Sequence, residues 1–70
     1  GGDTVKEAAE IFMSVLENKS TATQQEAVIV NAAMAIQCIE AELSFADCAA
    51  RAKEAITSGK ALQTFKSLVA

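Results

Sequence analysis

Residues 27–39 read AVIVNAAMAIQCI, an apolar run that only Asn31 and Gln37 interrupt. The triplet Val28-Ile29-Val30 is compatible with a buried strand, but the run continues without a turn signal and is too long and too rich in alanine for a strand. It therefore predicts a helix. A helix that is apolar around its whole circumference must be surrounded by protein. The neighbours that a chain of 70 residues offers can hardly do this, so we expect a partner chain or the rest of a longer polypeptide to cover part of it.

The remaining sequence also favours helices. It contains 15 alanines, three glycines and no proline, and alanine is the best helix former whereas glycine and proline break helices. A first helix is expected to start at Asp3 or Thr4, because Thr4 and Glu7 fit a capping box, and to end near Asn18. Its apolar side chains cover a wide arc, which predicts two neighbouring helices.

Three further signals place the other helices. Thr23-Gln24-Gln25-Glu26 fits a second capping box ahead of the apolar run, and Ser44 is expected to cap a third helix. Gly59 is suited to the left-handed residue that ends that helix. A last short helix would carry Leu62, Phe65, Leu68 and Val69 on one side. We therefore predict an all-α fold of three to four short helices, with residues 1–70 forming a single helical segment.

Charge and cysteine content exclude several classes of function. The chain has 6 basic and 9 acidic residues, and the basic ones are scattered, which argues against nucleic acid as a partner. No apolar stretch is long enough to cross a membrane and no signal peptide opens the chain, so we expect no membrane partner and a cytoplasmic protein. Cys38 and Cys48 lack the spacing and the partners of a zinc site. They are expected to be free thiols.

Residues that could carry chemistry are few. Without histidine, no Ser/His or Cys/His nucleophile pair can form within this chain. Glu7 and Glu10 share a helix face and could bind a metal ion, but a solvated polar face is favoured. Gly1-Gly2-Asp3 could cradle a phosphate ahead of a helix, but a flexible turn followed by a cap is favoured. Cys48, close to a helix start, is expected to pack rather than react. No catalytic, cofactor-binding or metal-binding residue is predicted.

Asn31 is the remaining polar candidate. A polar side chain inside an apolar run is either a buried hydrogen-bonding group or a group that contacts a ligand. We favour the first interpretation, in which Asn31 bonds to a neighbouring element of the fold.

Several short motifs follow one another along the chain. They are Gly1-Gly2-Asp3, Glu7-Ala8-Ala9, Val15-Leu16-Glu17-Asn18, residues 27–33 (AVIVNAA), residues 52–56 (AKEAI) and residues 58–62 (SGKAL). In this order they resemble the carboxy-terminal end of the anthranilate phosphoribosyltransferase family. The likeness spans nearly all 70 residues.

The resemblance implies that residues 1–70 are the carboxy-terminal part of a larger phosphoribosyltransferase domain, with helices packed on the sheet of an α/β domain. The parent would be a glycosyltransferase of tryptophan biosynthesis that transfers phosphoribosyl from phosphoribosyl diphosphate to anthranilate with Mg²⁺. None of that family's active-site motifs matches a position in this chain, which alone would not be an enzyme and would hold no cofactor. The alternative is a free-standing helical interaction module that homodimerises. In either case the partner would cover residues 27–39.

Overall fold

The computed structural model describes residues 4–70, and it contains four helices and no strand within that range. They are α1 (Thr4–Leu16), α2 (Ala22–Ile39), α3 (Phe45–Thr57) and α4 (Lys60–Val69). The all-α prediction is confirmed, including the helix over residues 27–39 in place of a strand. None of the helices in the described part of the chain is both long and apolar enough to cross a lipid bilayer.

The first helix starts and ends close to the expected residues. Thr4 already belongs to α1, and the other expected starting residue, Asp3, lies outside the described residues. The helix ends at Leu16, two residues before the expected Asn18, which instead adopts a left-handed conformation with φ of 59°. Asparagine tolerates this conformation better than most residues. Its side-chain Nδ2 donates to the carbonyl oxygen of Ile56 at 3.4 Å, which joins the end of α1 to the end of α3.

The N-terminal cap of α2 lies two residues before the predicted position. Thr21 is the cap: its hydroxyl accepts from the backbone N–H of Gln24, and its own N–H donates to the Gln24 side chain. The prediction of a box that starts at Thr23 was wrong. Both segments fit the same pattern, but capping at Thr21 lets Thr23 join the helix and lengthens α2 by backbone hydrogen bonds.

The turn between α2 and α3 is held by side chains from both helices. Gln37 in α2 donates to the carbonyl oxygen of Leu43, and Arg51 in α3 contacts the carboxylate of Glu40 at 2.7 Å. Ser44 then caps α3 by accepting from the backbone N–H of Asp47, as predicted. These bonds fix the path of the chain from α2 back onto α3, and the two helices form the most extensive helix pair of the fold.

A single residue separates α3 and α4 after the Ser58 cap. Gly59 has φ of 84°, in the left-handed region that glycine adopts at little cost, and its N–H donates to the carbonyl oxygen of Ile56. The predicted stop signal is confirmed. The change of direction brings α4 back along α3, so that Phe65 lies beside Phe12 of α1.

The buried core is small and lies between α1, α2 and α3. Within residues 4–70 its members are Val15, Leu16, Ala33, Cys48, Ala52 and Ile56. The first helix packs against α2 and α3, the two neighbours that its wide apolar arc predicted, and also touches α4 through Phe12. Only its last turn is buried, and Val5 at its start is 82% exposed. No residue of α4 is fully buried. Much of the apolar surface of the chain therefore faces outward.

Candidate functional site

The described helices enclose an apolar groove that all four of them border. Its volume is about 450 Å³. Apolar side chains from every helix line it, chiefly Phe12, Leu16, Val28, Ile36, Ile56 and Phe65. We call this feature the groove.

Regular helical spacing brings these side chains to the groove. In α1, Phe12 and Leu16 are four residues apart, and in α2 Val28, Ala32 and Ile36 repeat at the same interval, which places each set on one face of its helix. The rings of Phe12 and Phe65 contact each other, so that α1 and α4 meet beside the groove. The sequence analysis identified the apolar stripes of α1 and α4 but not the groove, which depends on how distant helices pack.

Two basic residues, Arg51 and Lys60, lie at the border of the groove. The guanidinium of Arg51 is paired with Glu40, and about half of its side-chain surface is exposed. Such an exposed pair contributes little to stability. Lys60 is exposed and has no ion pair with any residue from 4 to 70, and a single surface lysine does not make an anion site. The groove therefore offers apolar contact and no built site for an anion.

A second apolar surface lies on the other side of α2. Ala27, Val30, Met34 and Cys38 recur every three or four residues and are all exposed, Val30 at 44% and Met34 at 56%. Residues with this spacing share one face of a helix. We call these four residues the outer stripe. Neither it nor any other position of residues 27–39 carries a charged side chain, which is unusual for a helix face in water.

The structure contradicts the prediction for Asn31. This side chain is exposed at the margin of the outer stripe, and it forms no hydrogen bond with any residue from 4 to 70. The prediction of a buried structural hydrogen bond was wrong because α2 turns Ala33, not Asn31, into the core.

The structure tests some of the other candidates. Glu7 and Glu10 are both exposed on α1. Both cysteines are free thiols, with Cys38 exposed and Cys48 completely buried in the core, as expected for a packing residue. Gly1-Gly2-Asp3 lies outside the described residues. Over residues 4–70 there is no group of three or more acidic or cysteine side chains that could hold a metal ion.

These features define surfaces for contact. In the described part of the chain, no nucleophile lies beside a base, and the reactive side chains are either isolated on the surface or buried by packing. The arrangement offers two apolar surfaces that another protein surface could cover, the groove on one side of α2 and the outer stripe on the other.

Comparison with known proteins adds a family. The sequence profile of the glycosyl transferase family, a/b domain, matches residues 1–62. Curated relatives include the anthranilate phosphoribosyltransferases of Phocaeicola vulgatus and Cytophaga hutchinsonii, each 48% identical over 69 residues, and that of Bacteroides thetaiotaomicron, 42% identical over 69 residues. Each match covers 99% of this chain but 21% of the relative. The chain therefore spans about a fifth of the length of these relatives. No solved structure matches it.

Proposed function

We propose, since this chain belongs to the glycosyl transferase family, a/b domain, that it is a helical and non-catalytic portion of an anthranilate phosphoribosyltransferase. The complete enzyme would transfer phosphoribosyl from phosphoribosyl diphosphate to anthranilate in tryptophan biosynthesis. The role of these four helices would be to support the α/β domain that holds the active site.

The observation that carries this proposal is the uncovered apolar surface of α2. Its outer stripe is exposed in residues 4–70, whereas the relatives have about five times as much polypeptide to cover it. Leaving such a surface in water forgoes about 25 cal/mol for each Å² of apolar area that could be buried. A helix from the interior of a larger domain has this pattern.

The chemistry would come from the rest of the enzyme. Phosphoribosyl transfer from a diphosphate uses Mg²⁺ to neutralise the leaving group. Residues 4–70 contain no group of three or more acidic side chains that could hold a metal ion, so we place the Mg²⁺ ligands in the rest of the enzyme. The two free thiols support a cytoplasmic location, because thiols stay reduced in that compartment.

Genetic complementation tests the proposal. The longer polypeptide that contains residues 1–70 should restore growth without tryptophan to a bacterial strain that lacks its own anthranilate phosphoribosyltransferase, and residues 1–70 alone should not. The purified polypeptide should consume anthranilate, measured by loss of its fluorescence, only when phosphoribosyl diphosphate and Mg²⁺ are both present.

Two matched variants test the non-catalytic role. Glu7→Gln and Glu10→Gln remove exposed carboxylates of α1 and should change kcat by less than about twofold, since neither would touch a reacting atom. A loss of several hundredfold in either variant would place α1 in the active site. A reading frame that starts close to Gly1 would overturn the proposal altogether.

The alternative function is a free-standing module that homodimerises through α2. The uncharged outer stripe favours it as well, because two copies of an uncharged face can meet without repulsion. Sedimentation of the isolated chain separates the two functions: a tight dimer together with failed complementation would support the module.

A further inference from the structure

We infer that the outer stripe of α2 is the face that packs against the β-sheet of the α/β domain. This inference rests on the proposed function and adds to it the contact surface and the kind of structure that the surface meets. The groove, on the other side of α2, is not that surface.

The sheet must come from polypeptide beyond the described helices. The family is described as an a/b domain, yet residues 4–70 form helices without a strand. Because this chain covers 21% of its relatives, most of such a domain lies in the remaining polypeptide. Sheets in α/β domains are covered by helices on both faces. An apolar sheet face therefore needs an apolar helix face to cover it, and the outer stripe is such a face.

The dimensions of the outer stripe suit a sheet. From Ala27 to Cys38 the helix advances by roughly 17 Å at ~1.5 Å per residue, which is the length of a common strand of about five residues. Ala27 and Cys38 at the two ends are small, so the helix can approach a second layer closely, while Val30 and Met34 supply apolar contact between them. No charged side chain interrupts the face.

The groove has the wrong shape for the same role. It is concave, and Phe12 of α1 and Phe65 of α4 both border it. A sheet is a broad surface and needs a helix face that protrudes or is flat. In addition, α3 packs against α2 more extensively than any other helix, yet all four side chains of the outer stripe stay exposed. The stripe is therefore a face of α2 that the other described helices leave uncovered.

The two cysteines provide a direct test, because Cys38 belongs to the outer stripe and Cys48 is buried in the core. The native longer polypeptide is treated with a maleimide and the labelled sites are mapped by mass spectrometry, with the urea-unfolded protein as the reference. We expect both thiols to be protected on the order of 100-fold relative to the unfolded protein. Cys48 serves as the internal standard for an intact helical core.

The outcome that overturns the inference is specific. If Cys38 reacts as fast in the native polypeptide as in urea, while Cys48 stays protected and the enzyme remains active, the outer stripe is open to solvent and the proposed function still stands. If protection of Cys38 falls when the protein is diluted, the stripe is covered by a second copy of the chain and not by a sheet of the same molecule.

A pair of alanine variants adds a second measurement. Ala27→Gln places a larger polar side chain in the outer stripe, and Ala46→Gln places the same side chain at an exposed position of α3. In the longer polypeptide we expect Ala27→Gln to lower Tm by several degrees and to accelerate labelling of Cys38, and Ala46→Gln to do neither. Equal effects of the two variants would contradict a contact at the stripe.

Discussion

The ring of Phe12 in α1 meets the ring of Phe65 in α4 edge to face, with the centroids 5.8 Å apart and the planes inclined at 71°. This geometry lets the positive edge of one ring face the negative π-surface of the other. The pair joins two helices that otherwise have little contact with each other. No residue of α4 is fully buried. The attachment of α4 to α1 therefore depends heavily on this contact.

A double-mutant cycle measures the contact between these rings. Phe12→Leu and Phe65→Leu should each destabilise the fold, and the coupling between them should be about 1 kcal/mol. Urea denaturation followed by circular dichroism gives the four free energies. As a control, the cycle between Phe12 and Phe45, which does not line the groove, should give a coupling below about 0.5 kcal/mol. Equal coupling in both cycles would contradict a specific ring contact.

Asn18 should be sensitive to what replaces it. Asn18→Ala loses the hydrogen bond to the Ile56 carbonyl and forces a left-handed alanine, at a total cost of about 2 kcal/mol. Asn18→Gly loses the bond but keeps the backbone freedom, and should cost about half as much. Thermal unfolding of both variants checks the order. If alanine and glycine were equally tolerated, the left-handed backbone would have no role in joining α1 to α3.

Two valines in α1 form a matched pair for the core. Val15 is 0% exposed and Val5 is 82% exposed. Val15→Ala should lower the free energy of unfolding by about 2 kcal/mol, because it leaves a cavity beside a small core, and Val5→Ala should change it by less than about 0.5 kcal/mol. Urea denaturation compares them directly. A similar loss in both variants would mean that the first turns of α1 are packed as tightly as its last.

Gly59 isolates a backbone effect. A Cβ added at this position meets no atom within 4 Å, but φ is 84°. Gly59→Ala should therefore cost about 1 kcal/mol through the backbone alone, and Gly59→Asn should cost less because asparagine tolerates this region. The melting temperatures of the two variants provide the measurement. An alanine variant as stable as the parent chain would show that the junction can adopt another conformation.

Local chemistry decided which features the sequence could predict. Ser44 and Gly59 act within a few residues of themselves, one by accepting from the N–H of Asp47 and the other through its own φ, and both were predicted correctly. The cap of α2 was displaced because Thr21 and Thr23 both fit one pattern, and the pattern cannot rank them.

Long-range packing decided the features that the sequence could not predict. Asn31 and Ala33 stand in the same apolar run, and only the docking of α3 determines that Ala33 is buried and Asn31 is exposed. The groove depends on contacts between α1 and α4, at opposite ends of the described chain. The periodicity of each helix indicates an apolar face but does not say which helix will meet it.

The junction at Gly59 also limits how the length of this segment can vary. One extra residue there would rotate α4 by roughly 100° about its axis and carry Phe65 away from Phe12. The turns at residues 17–21 and 40–44 are longer, with five residues each, and most of those residues are exposed. Insertions and deletions in homologous enzymes should therefore occur mainly in those two turns, and the junction between α3 and α4 should keep a fixed length.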